Sequence, residues 1–233
     1  MVEEKLRGKF IAIEGTDGSG KATQTAFLLK KLKEEGHDVE IIDFPRHGEP
    51  SGKLIDLYLT GFFGDPTKLD PNLVSGYYAM DRLMNKPKID FWLDEGKVVI
   101  ADRYASSNIG HQGAKIQDEQ KREELFKWLH KLEFEELKIP KPDIQVFLHV
   151  PADVSFELIK NKIQRGYIKI GNADGHEGNI EHLRNAERSY LYASRLFGWN
   201  IIECTENGQL LPIEAIHEKI WEVVSKILDN PKP

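Results

Sequence analysis

Short apolar runs recur along the chain between longer stretches in which apolar positions return every three or four residues. The runs Lys9 to Glu14, Asp38 to Phe44, Lys97 to Asp102, Asp143 to Val150 and Trp199 to Cys204 are mostly continuous rather than alternating, which marks strands buried on both faces. Between the first two, Ala22, Ala26, Leu29 and Leu32 fall close to helical spacing, and Gly36 supplies the residue that ends such a helix. Further helices are predicted at about 71–94, 117–136, 153–165, 179–197 and 212–228. Strands alternating with helices build an α/β fold, here a five-stranded parallel sheet with helices on both faces.

Ligands of such sheets gather beyond the carboxyl ends of the strands, so the residues that follow each apolar run carry most weight. They are Gly15-Thr16-Asp17 after the first, Phe44-Pro45-Arg46-His47 after the second and Asp102-Arg103-Tyr104 at the end of the third. The first opens Gly15-Thr16-Asp17-Gly18-Ser19-Gly20-Lys21-Ala22-Thr23, which has the strand before it, the helix after it and the Gly-x4-Gly-Lys spacing of a phosphate-binding loop. Glycines there let backbone N–H groups turn toward phosphate oxygens while Lys21 adds a mobile charge, so the loop is expected to hold a nucleoside triphosphate. The Ser or Thr that normally follows the lysine and binds Mg²⁺ is replaced by Ala22. Thr23 does not repair this, because it lies about 100° further round the helix. An acidic strand tip can supply the other metal contact, which makes Asp102 the metal candidate, with a structural Asp–Arg pair as the plain alternative.

Charge narrows the partners. With 38 acidic against 32 basic side chains the net charge is −6, so no global field attracts nucleic acid and any anion site must be local. One cysteine forms no internal disulfide, no apolar run approaches bilayer length and the first residues lack a signal-peptide core. A cytoplasmic protein away from membranes is the expectation, folded as a single domain over residues 1–233. The segment Arg165 to Asn179, with four glycines among mixed charges, reads as a long loop and hence a lid over about 162–180.

Several blocks together carry a resemblance: Ile13-Glu14-Gly15-Thr16-Asp17-Gly18-Ser19-Gly20-Lys21, Phe44-Pro45-Arg46, Tyr78-Ala79-Met80-Asp81-Arg82, Asp102-Arg103-Tyr104 with Ser106-Ser107-Asn108, and Pro140-Lys141-Pro142-Asp143. In order and spacing the chain resembles the thymidylate kinase family of P-loop nucleoside-monophosphate kinases. The resemblance implies transfer of a phosphoryl group from ATP with Mg²⁺ to dTMP, in dTTP biosynthesis. It further implies that Asp17 meets the acceptor sugar, that Arg46 and Arg103 hold the acceptor phosphate, and that Phe44 belongs to the same site. Tyr78 would stack on thymine, although read alone it is sooner a core tyrosine, and Arg82, one turn later, would contact the base edge. Ser107 or, first in rank, Asn108 would read the base, although either suits a helix cap. His111 stands where relatives carry Tyr or Phe near the sugar.

Members of the family place a catalytic arginine in the phosphate loop or in the lid. The loop position here is Gly18, so Arg165 is the candidate, with Lys162 and Lys169 behind it and Arg184 and Arg188 within reach. Lys21, Arg103 and Arg165 would then form the catalytic set. The acceptor is already an anionic phosphate, so no general base is required and catalysis is alignment plus charge stabilisation. A homodimer is the expected assembly, with the apolar helix at 71–84 serving as a dimer face as readily as a core face. One rival is a deoxynucleoside kinase with Asp43 as base, which the cation at Arg46 argues against. Another is a nucleotide-binding module without turnover, supported by Ala22 alone.

Overall fold

The first strand, β1 (Phe10–Gly15), is buried along its whole length because protein covers both its edges and both its faces. The structure, a computed structural model, describes residues 6–164 and 180–228. In it β1 pairs in parallel with β3 (Val98–Asp102) on one side and β4 (Ile144–His149) on the other. β2 (Val39–Asp43) flanks β3 and β5 (Asn200–Glu203) flanks β4, giving the order β2-β3-β1-β4-β5, all parallel. Each expected strand is present within a residue or two of its expected ends.

Alternate residues of β1 feed two cores. Ile11 and Ile13 join Leu28 and Leu32 of α1 (Lys21–Glu34) and Ile220 and Val224 of α8 (Ile213–Leu228), while Phe10 and Ala12 join Ile89 and Leu93 of α3 (Pro71–Asp94). The chain steps from β1 to β2 on one side, then crosses β1 from β3 to β4. This reversal opens a crevice beside the carboxyl end of β1, where ligands of doubly wound sheets bind.

Three local features depart from the expected pattern. The buried face of α1 is Gln24, Thr25, Leu28 and Leu32, whereas Ala22 and Ala26 are exposed. The reason is α8, against which this face docks and whose first residue, Ile213, accepts a hydrogen bond through its carbonyl from Gln24 Nε2 at 2.9 Å. The helix expected at 117–136 is α-helical only as α5 (Glu119–Lys131), and Leu132–Glu136 winds as a π-turn that leaves Glu133 buried. Two helices were not expected, α2 (Lys53–Leu59) and α4 (Ala105–Gly113), nor was the hairpin β6 (Thr205–Glu206) and β7 (Gln209–Leu210) turning on Asn207-Gly208. The remaining helices are α6 (Ala152–Gln164) and α7 (Ile180–Phe197).

α4 escapes propensity because glycine at 110 and 113 disfavours a helix, yet packing demands it. A β-carbon at Gly110 would sit 2.2 Å from Cε2 of Tyr190 on α7. Gly110→Ala is therefore expected to destabilise the fold by about 2 kcal/mol or more through overpacking. Thermal unfolding of the variant beside the parent checks this, and an unchanged midpoint contradicts it.

Candidate active site

The phosphate loop joins β1 to α1 through a tight turn that passes close to Ser155 and Ile159 of α6. Gly18 and Gly20 hold φ of 81° and 86°, which side-chain-bearing residues rarely adopt, and any β-carbon at Gly15 would lie 2.3 Å from Ser19 Oγ. Lys21 opens α1 and is nearly buried, its Nζ donating to the carbonyls of Gly15 at 3.1 Å and Thr16 at 2.9 Å. Burial and the charge of Arg103 pull its ammonium down to about 8, with Asp17, Asp102 and Glu14 opposing. The hydroxyls of Thr16 and Ser19 are buried with no partner among the described residues. Ala22 and Thr23 are exposed on the first turn of α1.

Arg103 links this loop to α4. Its backbone is left-handed at φ 65°, a costly conformation for arginine, and its N–H donates to Ile13 O at 3.0 Å. The guanidinium bonds the carboxylate of Asp17 and donates to His111 Nε2 at 3.1 Å. Burial raises the Asp17 carboxyl, but the groups around it, Arg103 foremost and Lys21 among them, together outweigh burial and hold it well below the usual carboxylate range. A guanidinium only donates, so His111 Nε2 is an acceptor and the ring is neutral with its proton on Nδ1. Burial pushes the imidazole the same way, well below its ordinary value.

Glu14, the last acidic group before the loop, is fully buried. It accepts hydrogen bonds from Tyr104 N (2.7 Å), Ser107 N (3.1 Å), Ser107 Oγ (2.6 Å) and Tyr190 Oη (3.4 Å). Burial raises its carboxyl while these bonds and Arg103 work against the rise. Sequence reading assigned it no role. The signal was a carboxylate closing an otherwise apolar buried strand.

Beyond Arg103 lies a cleft of about 240 Å³, walled by Phe44 and Pro45 from the tip of β2, Tyr58 of α2, Tyr78 and Arg82 of α3, and Ser107, Asn108, His111 and Gln112 of α4, with Asp17 at its mouth. Asn108 gives its Nδ2 to Ser75 O at 3.0 Å, which leaves Oδ1 buried without a partner, and Gln112 Oε1 one turn on is in the same condition. Two amide acceptors thus stand on one helix. Gln112 was not singled out from sequence.

Arg82 is buried in a two-pronged pair with Glu133 of the π-turn, through Nε at 2.9 Å and Nη2, so Nη1 is the part of its fork not engaged there. Arg46 does not line the cleft, because its guanidinium pairs with Asp43 and Glu49. Its backbone N–H is fixed by Asp81 Oδ2 at 2.9 Å. His47 bonds Asp56 at 2.6 Å. Asp102 sits in register with Asp43 on β2 and with Ile13 on β1. Burial raises its carboxyl, countered by Lys21 and Arg103 and reinforced by Asp43. Arg165 and Lys169, like the side chain of Lys162, lie outside the described residues. Arg184 pairs with Asp153 and Glu181, and Arg188 with Asn185.

A phosphate loop ending in Lys21, a cation bridging it to a second cleft and a doubly wound parallel sheet define a P-loop kinase acting on a small phosphorylated acceptor. The thymidylate kinase family model matches residues 13–220, and the chain belongs to that family. A probable thymidylate kinase of Pyrococcus horikoshii is 31% identical over 221 residues, spanning 94% of this chain and 97% of its own. The human thymidylate kinase is 28% identical over 218 residues, 92% of this chain and 88% of its own. In fold, the chain matches the thymidylate kinase of Candida albicans with a TM-score of 0.70 over 95% of this chain and 92% of that one, at 23% identity. The chain is thus an ATP-dependent nucleoside-monophosphate kinase of the branch that supplies dTTP synthesis. Asp43, the base required by the deoxynucleoside kinase alternative, is engaged by Arg46.

Lys21 gives a pH signature. In the free enzyme its charge is lost as pH rises through about 8, so kcat/KM for ATP is expected to fall about tenfold per unit above that point. A pH profile of kcat/KM measured with ATP varied, flat to pH 9.5, would contradict the assignment.

Proposed function

We propose that the chain phosphorylates dTMP to dTDP with the donor phosphates on the loop at Gly15 to Thr23 and the acceptor in the cleft of Tyr78, Arg82, Ser107, Asn108 and His111. One observation carries this reading: Arg103, held in a left-handed backbone, reaches from Asp17 in the donor loop to His111 in the cleft. A cation so placed meets both the acceptor phosphate and the group in transfer. Asp17 offers the acceptor sugar a carboxylate, Tyr78 offers the base a ring face, and the unsatisfied Asn108 Oδ1 and Gln112 Oε1 suit an N3–H, which thymine and uracil have and cytosine lacks. Phe44 closes the wall. Arg46 serves the acceptor phosphate only by leaving Asp43 and Glu49.

The reaction needs alignment and charge, not a base. Lys21 and Arg103 compensate negative charge in flight, with Arg165 from the lid at about 162–180 as a third cation. Mg²⁺ suits what is present: it takes one or two carboxylates and completes its shell with phosphates and water, and Asp102 is a half-buried carboxylate at the strand tip. No cluster of three His, Cys, Asp or Glu among the described residues would hold it alone. When bound it would neutralise phosphate charge, held by Asp102, with a water in the place that Ala22 leaves without a hydroxyl. No helix among the described residues is long and apolar enough to cross a membrane.

A coupled ADP-release assay across dTMP, dUMP, dCMP and thymidine tests the reading. dTMP is expected to turn over fastest, dCMP and thymidine at least about a hundredfold more slowly, and thymidine above dTMP would overturn it. In the same assay Ala22→Ser is expected to lower the Mg²⁺ concentration needed for half-maximal rate, and an identical titration refutes the altered metal site.

We also propose a homodimer through α3, whose Leu73, Met80, Met84 and Phe91 form an exposed stripe opposite its buried Val74, Ile89 and Leu93. Sedimentation of the parent and of Met84→Glu should show a dimer and a monomer respectively; a monomeric parent ends this proposal.

A further inference from the structure

The acceptor cleft is lined also by a half-buried cation, Lys115, that the phosphate chemistry does not use. Lys115 follows the last turn of α4, where a positive charge also suits the helix end. Its Nζ donates to Tyr58 Oη at 3.0 Å and to Pro66 O at 2.9 Å, and Tyr58 Oη itself donates to Pro66 O at 3.1 Å. One ammonium thereby ties α4, α2 and the segment before α3 at a single point. The tied ring of Tyr58 is 1% exposed and meets the ring of Tyr78 edge to face, 6.4 Å between centroids. Tyr78 is the ring assigned to the acceptor base.

We propose that Lys115 is a positioning residue for the acceptor base, acting through Tyr58 to fix the aromatic wall on which the base stacks. This rests on the reading of the cleft as the dTMP site. Without the ammonium, the hydroxyl of Tyr58 and the carbonyl of Pro66 keep each other but lose their hold on α4. The wall then loosens relative to Asn108 and Gln112, which read the edge of the same base from α4.

The surroundings make this anchor sensitive to pH. Burial brings the ammonium down to about 8, opposed by the charges of Asp70 and Asp65, neither of which is hydrogen-bonded to it. From α4 the neutral His111 faces the same cleft, and from α7 Glu181 and His182 line the small cavity on the other side of Lys115. Lys21, also near 8, stands on the donor side. The two lysines therefore separate by substrate: loss of charge at Lys115 weakens the acceptor, loss at Lys21 the donor.

Steady-state kinetics of the full chain between pH 6.5 and 9.5, with each substrate varied in turn, test the proposal. In the parent, KM for dTMP is expected to rise several-fold through pH about 8. Lys115→Met should raise KM for dTMP about tenfold at pH 7, abolish its further rise and leave KM for ATP unchanged. Lys115→Arg should keep the neutral-pH value within about threefold and carry the rise beyond the measured range. A KM for dTMP within twofold of the parent in Lys115→Met, or the same pH limb in Lys115→Arg, overturns it. Should the methionine variant not fold, the arginine variant decides alone. Tyr78→Ala keeps the two readings apart. If that variant leaves KM for dTMP unchanged, the cleft assignment fails; if it raises KM while the Lys115 variants do not, the anchor alone fails.

Discussion

Glu14 takes a carboxylate out of water at the point where β1 becomes the phosphate loop, and an ionised group in such a place costs several kcal/mol unless it is fully hydrogen-bonded. Its donors are the backbone N–H groups of Tyr104 and Ser107, the hydroxyl of Ser107 and that of Tyr190. The first two belong to the opening turn of α4, where the Ser107 N–H otherwise meets only the carbonyl of Tyr104 at 3.1 Å and Tyr104 gives no side-chain cap. A carboxylate from β1, distant in sequence, caps the helix that walls the cleft. Phosphate loop and α4 therefore meet at one buried carboxyl group, and the left-handed turn at Arg103 lies between them.

The same economy recurs around the cleft. Arg82 is locked by Glu133, and Asp81, its neighbour in sequence, fixes the backbone at Arg46 beneath the tip of β2. Tyr190 stacks flat on Phe147 of β4, rings 4.9 Å apart, while its hydroxyl reaches Glu14. Side chains that would touch the acceptor are thus held by partners that would not. Such supports set the precision of a site more than the contacting groups themselves.

The sheet was legible because continuous apolar runs have one good explanation, burial on both faces, and all of them are strands of the single parallel sheet. The phosphate loop was legible because its glycines answer to backbone geometry within a few residues. What stayed hidden depends on partners far along the chain. Glu133 faces inward only through a π-turn, α4 is helical against its glycines because Tyr190 and Phe126 pack there, and the true inner face of α1 is set by α8. Arg46 was expected at a phosphate on the strength of its position in a motif; its pairing with Asp43 and Glu49 depends on the turn that follows β2. Glu14, Gln112 and Lys115 bear on the cleft through contacts that no local pattern announces.

The neutral imidazole of His111 has a consequence for how the cleft meets its ligand. Because Arg103 can only give hydrogen bonds, the ring has no state in which it both keeps that bond and carries a charge. An ordinary exposed histidine changes charge near neutrality, but this one does not, so acidification adds no cation beside Asp17 and Arg103. A phosphate monoester changes from one negative charge to two at about pH 6. In mildly acid solution His111 therefore adds no charge of its own to the Asp17–Arg103 pair, and a phosphate monoester arriving there would bring its own titration to the meeting.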